Sequence, residues 1–271
     1  MKSPSPAPAA RRRQRIHDLL AGSGRLAVEE LAGRLGVAAM TVRRDLTRLE
    51  QQGVLLRVHG GCVLPGPAFA RERPFAEKAG WRVPEKRAIA RQVVRLLRPG
   101  QSVYLDTGTT CAEVARLLPA GRPVRVFTNN LRVAMDLLGR PGVELHVFGG
   151  RLAPSSPDLV GASAAASAAA HRVDVAVVGA DAVDPATAEF GAADLETAVL
   201  SRMAQRQAAR VIVAADASKF GRTCRAISGR LARGLTLVTD AGVPPAQRRA
   251  LARTGATLVF APVTRTPQGA P

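Results

Sequence analysis

Apolar side chains recur at helical spacing between residues 11 and 64, and from residue 100 onward they gather into short runs separated by helical stretches. In the first region Ile16, Leu19 and Leu20 predict one buried face of a helix over 11–20. Val28-Glu29-Glu30 open a second helix, with acidic residues in the first turn where the helix dipole favours them. It buries Leu31 and Leu35 before Gly36 allows a tight turn. A third helix runs from residue 39 to 52, and Val42, Leu46 and Leu49 at i, i+4 and i+7 form its inward stripe. Met40, Thr41, Arg43, Arg44 and Arg48 then point elsewhere. Gly53 stops this helix, and 54–61 reads as two short strands, a wing bearing Arg57 and His59. Pro65-Gly66-Pro67 ends the pattern and marks a domain boundary near residue 65.

Beyond a segment rich in Arg and Glu, apolar runs at 103–105, 124–127, 143–148, 173–178, 210–215, 235–238 and 256–261 alternate with helical patterns. Such alternation is the signature of βαβ units. The expected fold class is therefore α/β. A C-terminal domain (85–262) with a mostly parallel sheet flanked by helices follows a linker (65–84) and a small N-terminal winged helix-turn-helix domain (11–64). Pro- and Ala-rich stretches at 1–10 and 263–271 are expected as disordered tails.

Charge alters this picture less than its size suggests. The 271 residues carry a formal +18, but residues 1–64 hold 11 basic and 5 acidic side chains, so the excess is spread over the whole chain. By itself it argues only weakly for a nucleic acid. Lysine is scarce: Lys2, Lys78, Lys86 and Lys219 are the only four among 39 basic residues. Cys62, Cys111 and Cys224 are far apart, with no CxxC pair or histidine cluster, which predicts free thiols in a reducing cytoplasm and no metal site or cofactor. No apolar run approaches the roughly 20 residues that span a bilayer, so no membrane association is expected.

The third helix has the chemistry of a recognition helix. A major groove admits one α-helix, and guanidinium groups read guanine edges and bind phosphates. Thr41, Arg43, Arg44 and Arg48 are the candidates there, with Arg57 and His59 on the wing; for His59 a local turn hydrogen bond is the competing role. In the second domain strand after strand ends in polar or glycine residues, of which Asp106-Thr107-Gly108-Thr109-Thr110 is the most informative. A glycine turn leading into a helix offers backbone N–H groups and a positive dipole end to an anion, although the same residues can simply cap the helix. Lys219 can hold a phosphate oxygen or stand as a surface lysine.

Glu30-Leu31-Ala32, Leu35-Gly36-Val37, Thr41-Val42-Arg43-Arg44-Asp45-Leu46 and Arg57-Val58-His59-Gly60-Gly61 resemble the DeoR-family DNA-binding signature. Glu85-Lys86, the 106–110 motif, Thr128-Asn129, Phe148-Gly149-Gly150, Gly179-Ala180-Asp181 and Asp216 with Ser218-Lys219-Phe220-Gly221 resemble that family's sensor domain in order. The resemblance implies a repressor of a sugar or carbohydrate catabolism operon. It would bind double-stranded operator DNA as a homo-oligomer, dimer or tetramer, and be relieved by a phosphorylated sugar. It also implies a fold similar to sugar-phosphate isomerases, with Asp106, Gly108, Thr109 and Thr110 as the anion loop and Thr128, Asn129, Gly150, Asp181 and Lys219 lining the rest. Three positions depart from the family pattern: Ala38 where a capping serine is common, Ala182 for a frequent glycine, and Leu200 for a frequent lysine. The alternative is an isomerase-like enzyme with an accessory basic domain, using Asp181, Asp184 and Lys219.

Overall fold

The computed structural model describes residues 8–23, 25–51, 54–58, 60–63, 74–222 and 226–263. His59, Gly53, Pro65-Gly66-Pro67 and Cys224 lie outside them, as does most of both expected tails. The chain divides into two units between Arg73 and Pro74.

The first unit contains helix α1 (Pro8–Ser23), strand β1 (Arg25–Ala27), helices α2 (Val28–Leu35) and α3 (Ala39–Gln51), and strands β2 (Leu56–Val58) and β3 (Gly61–Val63). Ile16, Leu20, Leu31, Val42, Leu46, Leu49 and Leu55 are fully buried and make its core. Leu19 and Leu35, expected inside, are only half-buried. Gly36 closes α2 in the left-handed conformation, its N–H bonded back to Ala32 and Gly33. The three strands form an antiparallel sheet in the order β1-β3-β2. Strand β1 has too few residues to show alternation in the sequence and is defined by its pairing with β3, more than thirty residues away. Gly61 makes that pairing possible, because a Cβ there would collide with the Leu26 carbonyl. Helix α1 starts at Pro8, so the last residues of the expected N-terminal tail are helical; proline is tolerated in a first turn, where its missing N–H would go unused.

Asp45 ties this unit together. It is buried on α3 and pairs with α1, through Arg12 Nε at 2.5 Å and Arg13 Nη1 at 3.4 Å. A carboxylate on the helix flank facing α1 meets the basic run 11–13 there.

The second unit begins with helices α4 (Phe75–Ala79) and α5 (Val83–Leu96). The expected linker is thus ordered from Pro74 on, because Phe75 packs on the core and its N–H bonds the Ser155 carbonyl. Then follow β4 (Ser102–Leu105), α6 (Thr109–Leu117), β5 (Val124–Thr128), α7 (Leu131–Leu137), β6 (Val143–Val147), β7 (Arg151–Leu152), β8 (Leu159–Val160) and α8 (Ala162–Ala170). After β9 (Val173–Gly179) come β10 (Ala182–Val183), β11 (Glu189–Ala192), α9 (Leu195–Arg206), β12 (Ala208–Ala214), β13 (Ala226–Arg230), β14 (Leu235–Asp240), α10 (Pro245–Ala252) and β15 (Thr257–Ala261). Seven strands form one parallel sheet in the order β15-β14-β12-β9-β4-β5-β6, and each coincides with an apolar run of the sequence. Alternate strand residues serve opposite faces: Val103, Leu105, Val175 and Val177 pack with α5, α6 and α7, while Tyr104, Ala176 and Val178 pack with α8 and α9. Val263, expected in the C-terminal tail, packs on the first of these layers.

Replacing Asp45 with alanine removes the tie between α1 and α3 and leaves Arg12 and Arg13 on α1 without this carboxylate. Amide hydrogen exchange of α1 should accelerate by about tenfold, the equivalent of about 1–2 kcal/mol for a charged, partly buried pair, while exchange in the seven-stranded sheet stays unchanged.

Candidate functional site

Strand order decides where a ligand can enter. From β4 the chain builds outward through β5 to β6, then returns to the other side of β4 with β9 and builds outward again through β12, β14 and β15. The connections leaving β4 and β9 therefore diverge, and a crevice opens at the carboxyl ends of these two neighbours, the usual ligand position in an open α/β sheet. Asp106 follows β4 and Asp181 follows β9; Asp216 and Lys219 follow β12, the next strand out.

On the β4 side, Gly108 adopts φ +92° just before α6, with nothing within 4 Å of where a Cβ would stand. Its conformation turns the chain so that the first N–H groups of α6 lack carbonyl partners within the helix. Thr109 and Thr110 are largely buried in that first turn.

Asp106 itself is buried beneath the loop. Tyr104 Oη lies 3.0 Å from Asp106 Oδ1 and 2.8 Å from Asn129 Oδ1. The Asn129 amide is oriented by its Nδ2, which donates to the Leu159 carbonyl, so its Oδ1 and the Asp106 carboxyl share the one phenolic donor. Burial pushes the Asp106 carboxyl up to about 7, against hydrogen bonds from Thr107 N–H and the Tyr104 and Ser201 hydroxyls. A neutral carboxyl under the loop is compatible with an anion above it. Thr128 and Asn129, expected to line the pocket, are fully buried; Thr128 Oγ1 accepts the Asn130 N–H, and Asn129 is used by Tyr104 and Leu159. Gly150 follows the edge strand β6 and rests against Val160 and Ala164.

On the β9 side, cations converge. Asp181 Oδ1 is 3.3 Å from Lys78 Nζ and 3.8 Å from Lys219 Nζ. Arg82 Nε is 3.7 Å from Asp216 Oδ1, and Lys86 Nζ donates to the Lys78 carbonyl. Burial would raise both carboxyls, but the lysines outweigh it. Lys78 and Lys219 hold Asp181 below the ordinary range, and Lys219, Lys86 and Arg82 bring Asp216 to about 2. Burial pushes Lys86 down to about 7, with Lys219 and Lys78 adding to the effect and Asp216 and Glu113 opposing it. Three of the four lysines in the chain thus meet at one crevice. Of these only Lys219 was singled out for a site by sequence; Lys78 and Arg82 fell in the expected linker. The rarity of lysine in an arginine-rich chain was the available signal.

In the first unit, α3 turns Arg43, Arg44 and Arg48 to solvent, with Thr41 half-buried beside them and Met40 exposed. Arg43 Nη2 lies 3.5 Å from Glu29 on α2. On β2 the Arg57 N–H donates to Glu50 Oε1 at 3.1 Å and Nη1 to Thr47 Oγ1 at 3.3 Å, which sets this side chain against α3. Ala38 starts α3 with its carbonyl alone, taken by the Thr41 and Val42 N–H groups.

Residues 12–67 match the DeoR-like helix-turn-helix domain, and residues 81–241 match the DeoR C-terminal sensor domain. The chain belongs to the DeoR family. It is a DNA-binding transcriptional regulator. Among DeoR-family relatives, the HTH-type transcriptional regulator GlpR of Haloferax volcanii is 32% identical over 92% of this chain and 97% of its own length. The glycerol-3-phosphate regulon repressor of Escherichia coli K12 is 29% identical over 84% of this chain and 90% of its own. Among solved structures, ribose 5-phosphate isomerase A from Methanocaldococcus jannaschii aligns at a TM-score of 0.37 and 21% identity, over 50% of this chain and 53% of that one. Among the described residues no helix is long and apolar enough to cross a membrane.

The Asp106 carboxyl holds its proton to about pH 7 in the native protein and to about 3.8 when unfolded, so between these values folding takes up a proton and stability falls as pH rises. Asp106→Asn should therefore gain stability relative to the parent by about 2–3 kcal/mol on going from pH 5 to pH 8. Denaturant unfolding of both proteins at the two pH values measures the difference.

Proposed function

We propose that this DeoR-family protein is a cytoplasmic repressor of a sugar or carbohydrate catabolism operon whose grip on operator DNA is relieved by a phosphorylated sugar. The observation that carries this reading is the meeting of Lys78, Lys86 and Lys219 with the 106–110 loop at the one crevice the strand order opens. A phosphate carries about −1.5 to −2 charge near neutral pH and several acceptor oxygens, and it matches N–H donors on one wall and ammonium groups on the other. Gly108, Thr109, Thr110 and Lys219 hold the phosphate; Asp181 accepts from a sugar hydroxyl. Asp106, Thr128 and Asn129 act from beneath, keeping the loop in shape, and Gly150 bounds the far side. The glycerol-3-phosphate repressor, by its name, controls genes for a small phosphorylated polyol, which supports this ligand class.

Thr41, Arg43, Arg44 and Arg48 enter the major groove, with Arg57 and His59 on the backbone beside it. A homo-oligomer, dimer or tetramer, presents two such helices to paired half-sites. The sensor domain binds without turnover: Leu200, where the family often carries a lysine, is fully buried in the core and supplies no cation to an isomerisation.

Two measurements test the reading. In a thermal-shift screen, at least one of ribose 5-phosphate, fructose 6-phosphate and glycerol 3-phosphate should raise the melting temperature, and Lys219→Ala should weaken that ligand by about tenfold. In gel shifts with DNA flanking its own gene, Arg44→Ala should bind less tightly. If the arginine meets a phosphate, the slope of log affinity against log salt drops by about 1.

A further inference from the structure

We propose that the Lys78–Asp181 ion pair is the latch by which the bound effector acts on the segment leading to the DNA-binding unit. This rests on the sensor reading above and adds how that site regulates.

Helix α4 is the first element after the boundary between the units, and Lys78 lies on it. Three bonds to other elements bear on the position of this five-residue helix. Phe75 donates its N–H to Ser155, the Lys78 carbonyl accepts from Lys86 Nζ, and Lys78 Nζ reaches Asp181. The helix also packs against α6, whose first turn is the anion loop. The bond to Asp181 and the packing on α6 lead to the crevice and its wall.

Lys78, Asp181 and Lys219 keep 16%, 25% and 19% of their side-chain surface open to solvent, so an incoming anion reaches all three. A phosphate drawn to Lys219 arrives beside the Asp181 carboxylate, and the two anions repel. The lower-energy arrangement gives the Lys78 ammonium to the dianion and frees Asp181, and Lys78 carries α4 with it. The joint that absorbs this movement is in place: Arg82, between α4 and α5, sits at φ +50°, a left-handed conformation that costs a non-glycine residue energy and that a shift of α4 allows it to leave. Two sets of contacts for one short helix, selected by one ion pair, make a two-state element that ligand and DNA both bias.

Three variants of the full-length protein separate latch from ligand. Each is measured for DNA affinity by gel shift, with DNA flanking its own gene, in the absence and in saturating presence of whichever of ribose 5-phosphate, fructose 6-phosphate and glycerol 3-phosphate stabilises the parent. The parent should change affinity by about fivefold or more. Lys78→Met and Asp181→Asn both break the latch, and each should show the parent's effector-bound affinity without effector and a ratio near one. Lys219→Ala should need more effector but reach the parent's full ratio at saturation. If Lys78→Met and Asp181→Asn keep the parent's ratio, the latch is overturned while the sensor reading survives. If Lys219→Ala loses its ratio in the same way as they do, Lys78 has no special part and the latch is again overturned. A parent that responds to none of the three compounds removes the sensor reading and the latch together.

Discussion

Asp181 and Asp216 hold together a group of cations that would otherwise drive one another apart. Asp216 is buried and Asp181 half-buried, and each is held in its ionised form by lysine or arginine nitrogens within about 4 Å of it. The arrangement is balanced but not neutralised. Lys86, pressed between Lys219 and Lys78 and cut off from solvent, titrates near 7 instead of in the ordinary lysine range. Such a cluster is costly to fold and favourable to an incoming anion, for the same electrostatic reason.

The seven-stranded sheet makes this concentration of charge possible. Its central strands β4 and β9 are buried on both faces, so their side chains are mostly apolar and the polar residues that face a ligand stand at the strand ends. The reversal of strand order between β4 and β9 then gathers the ends that matter on either side of one crevice. Burial pushes the Asp106 carboxyl beneath the loop up to about 7, which fits this scheme, since an ionised carboxylate there would repel the same anion that the lysines attract.

The first unit solves a smaller problem in a similar way. Its three helices bury one narrow stripe each, and a single carboxylate, Asp45, links α1 to α3 through Arg12 and Arg13. Arg48, one turn away on the same helix, is the partner that local spacing alone would favour. Helix packing instead brings α1 against that flank of α3, and Arg48 stays in solvent, available to DNA.

Much of this was legible in the chain itself. The change from a 3.6-residue to a strand-like period, the seven apolar runs, the recognition stripe at Val42, Leu46 and Leu49, and the glycine-threonine loop are local patterns, and local patterns survive as written because backbone geometry alone converts them into helices, strands and turns. What could not be read was anything that joins distant segments. Strand β1 depends on pairing with β3. Lys78 and Arg82 looked like linker residues until α4 was seen bound to Asp181 and the core. Thr128 and Asn129, expected as ligand contacts, are fully buried and bonded to Asn130, Tyr104 and Leu159. These roles depend on which side chains are brought within bonding distance by the order of strands in the sheet, and that order is set by the packing of the whole domain, which no short stretch of sequence contains.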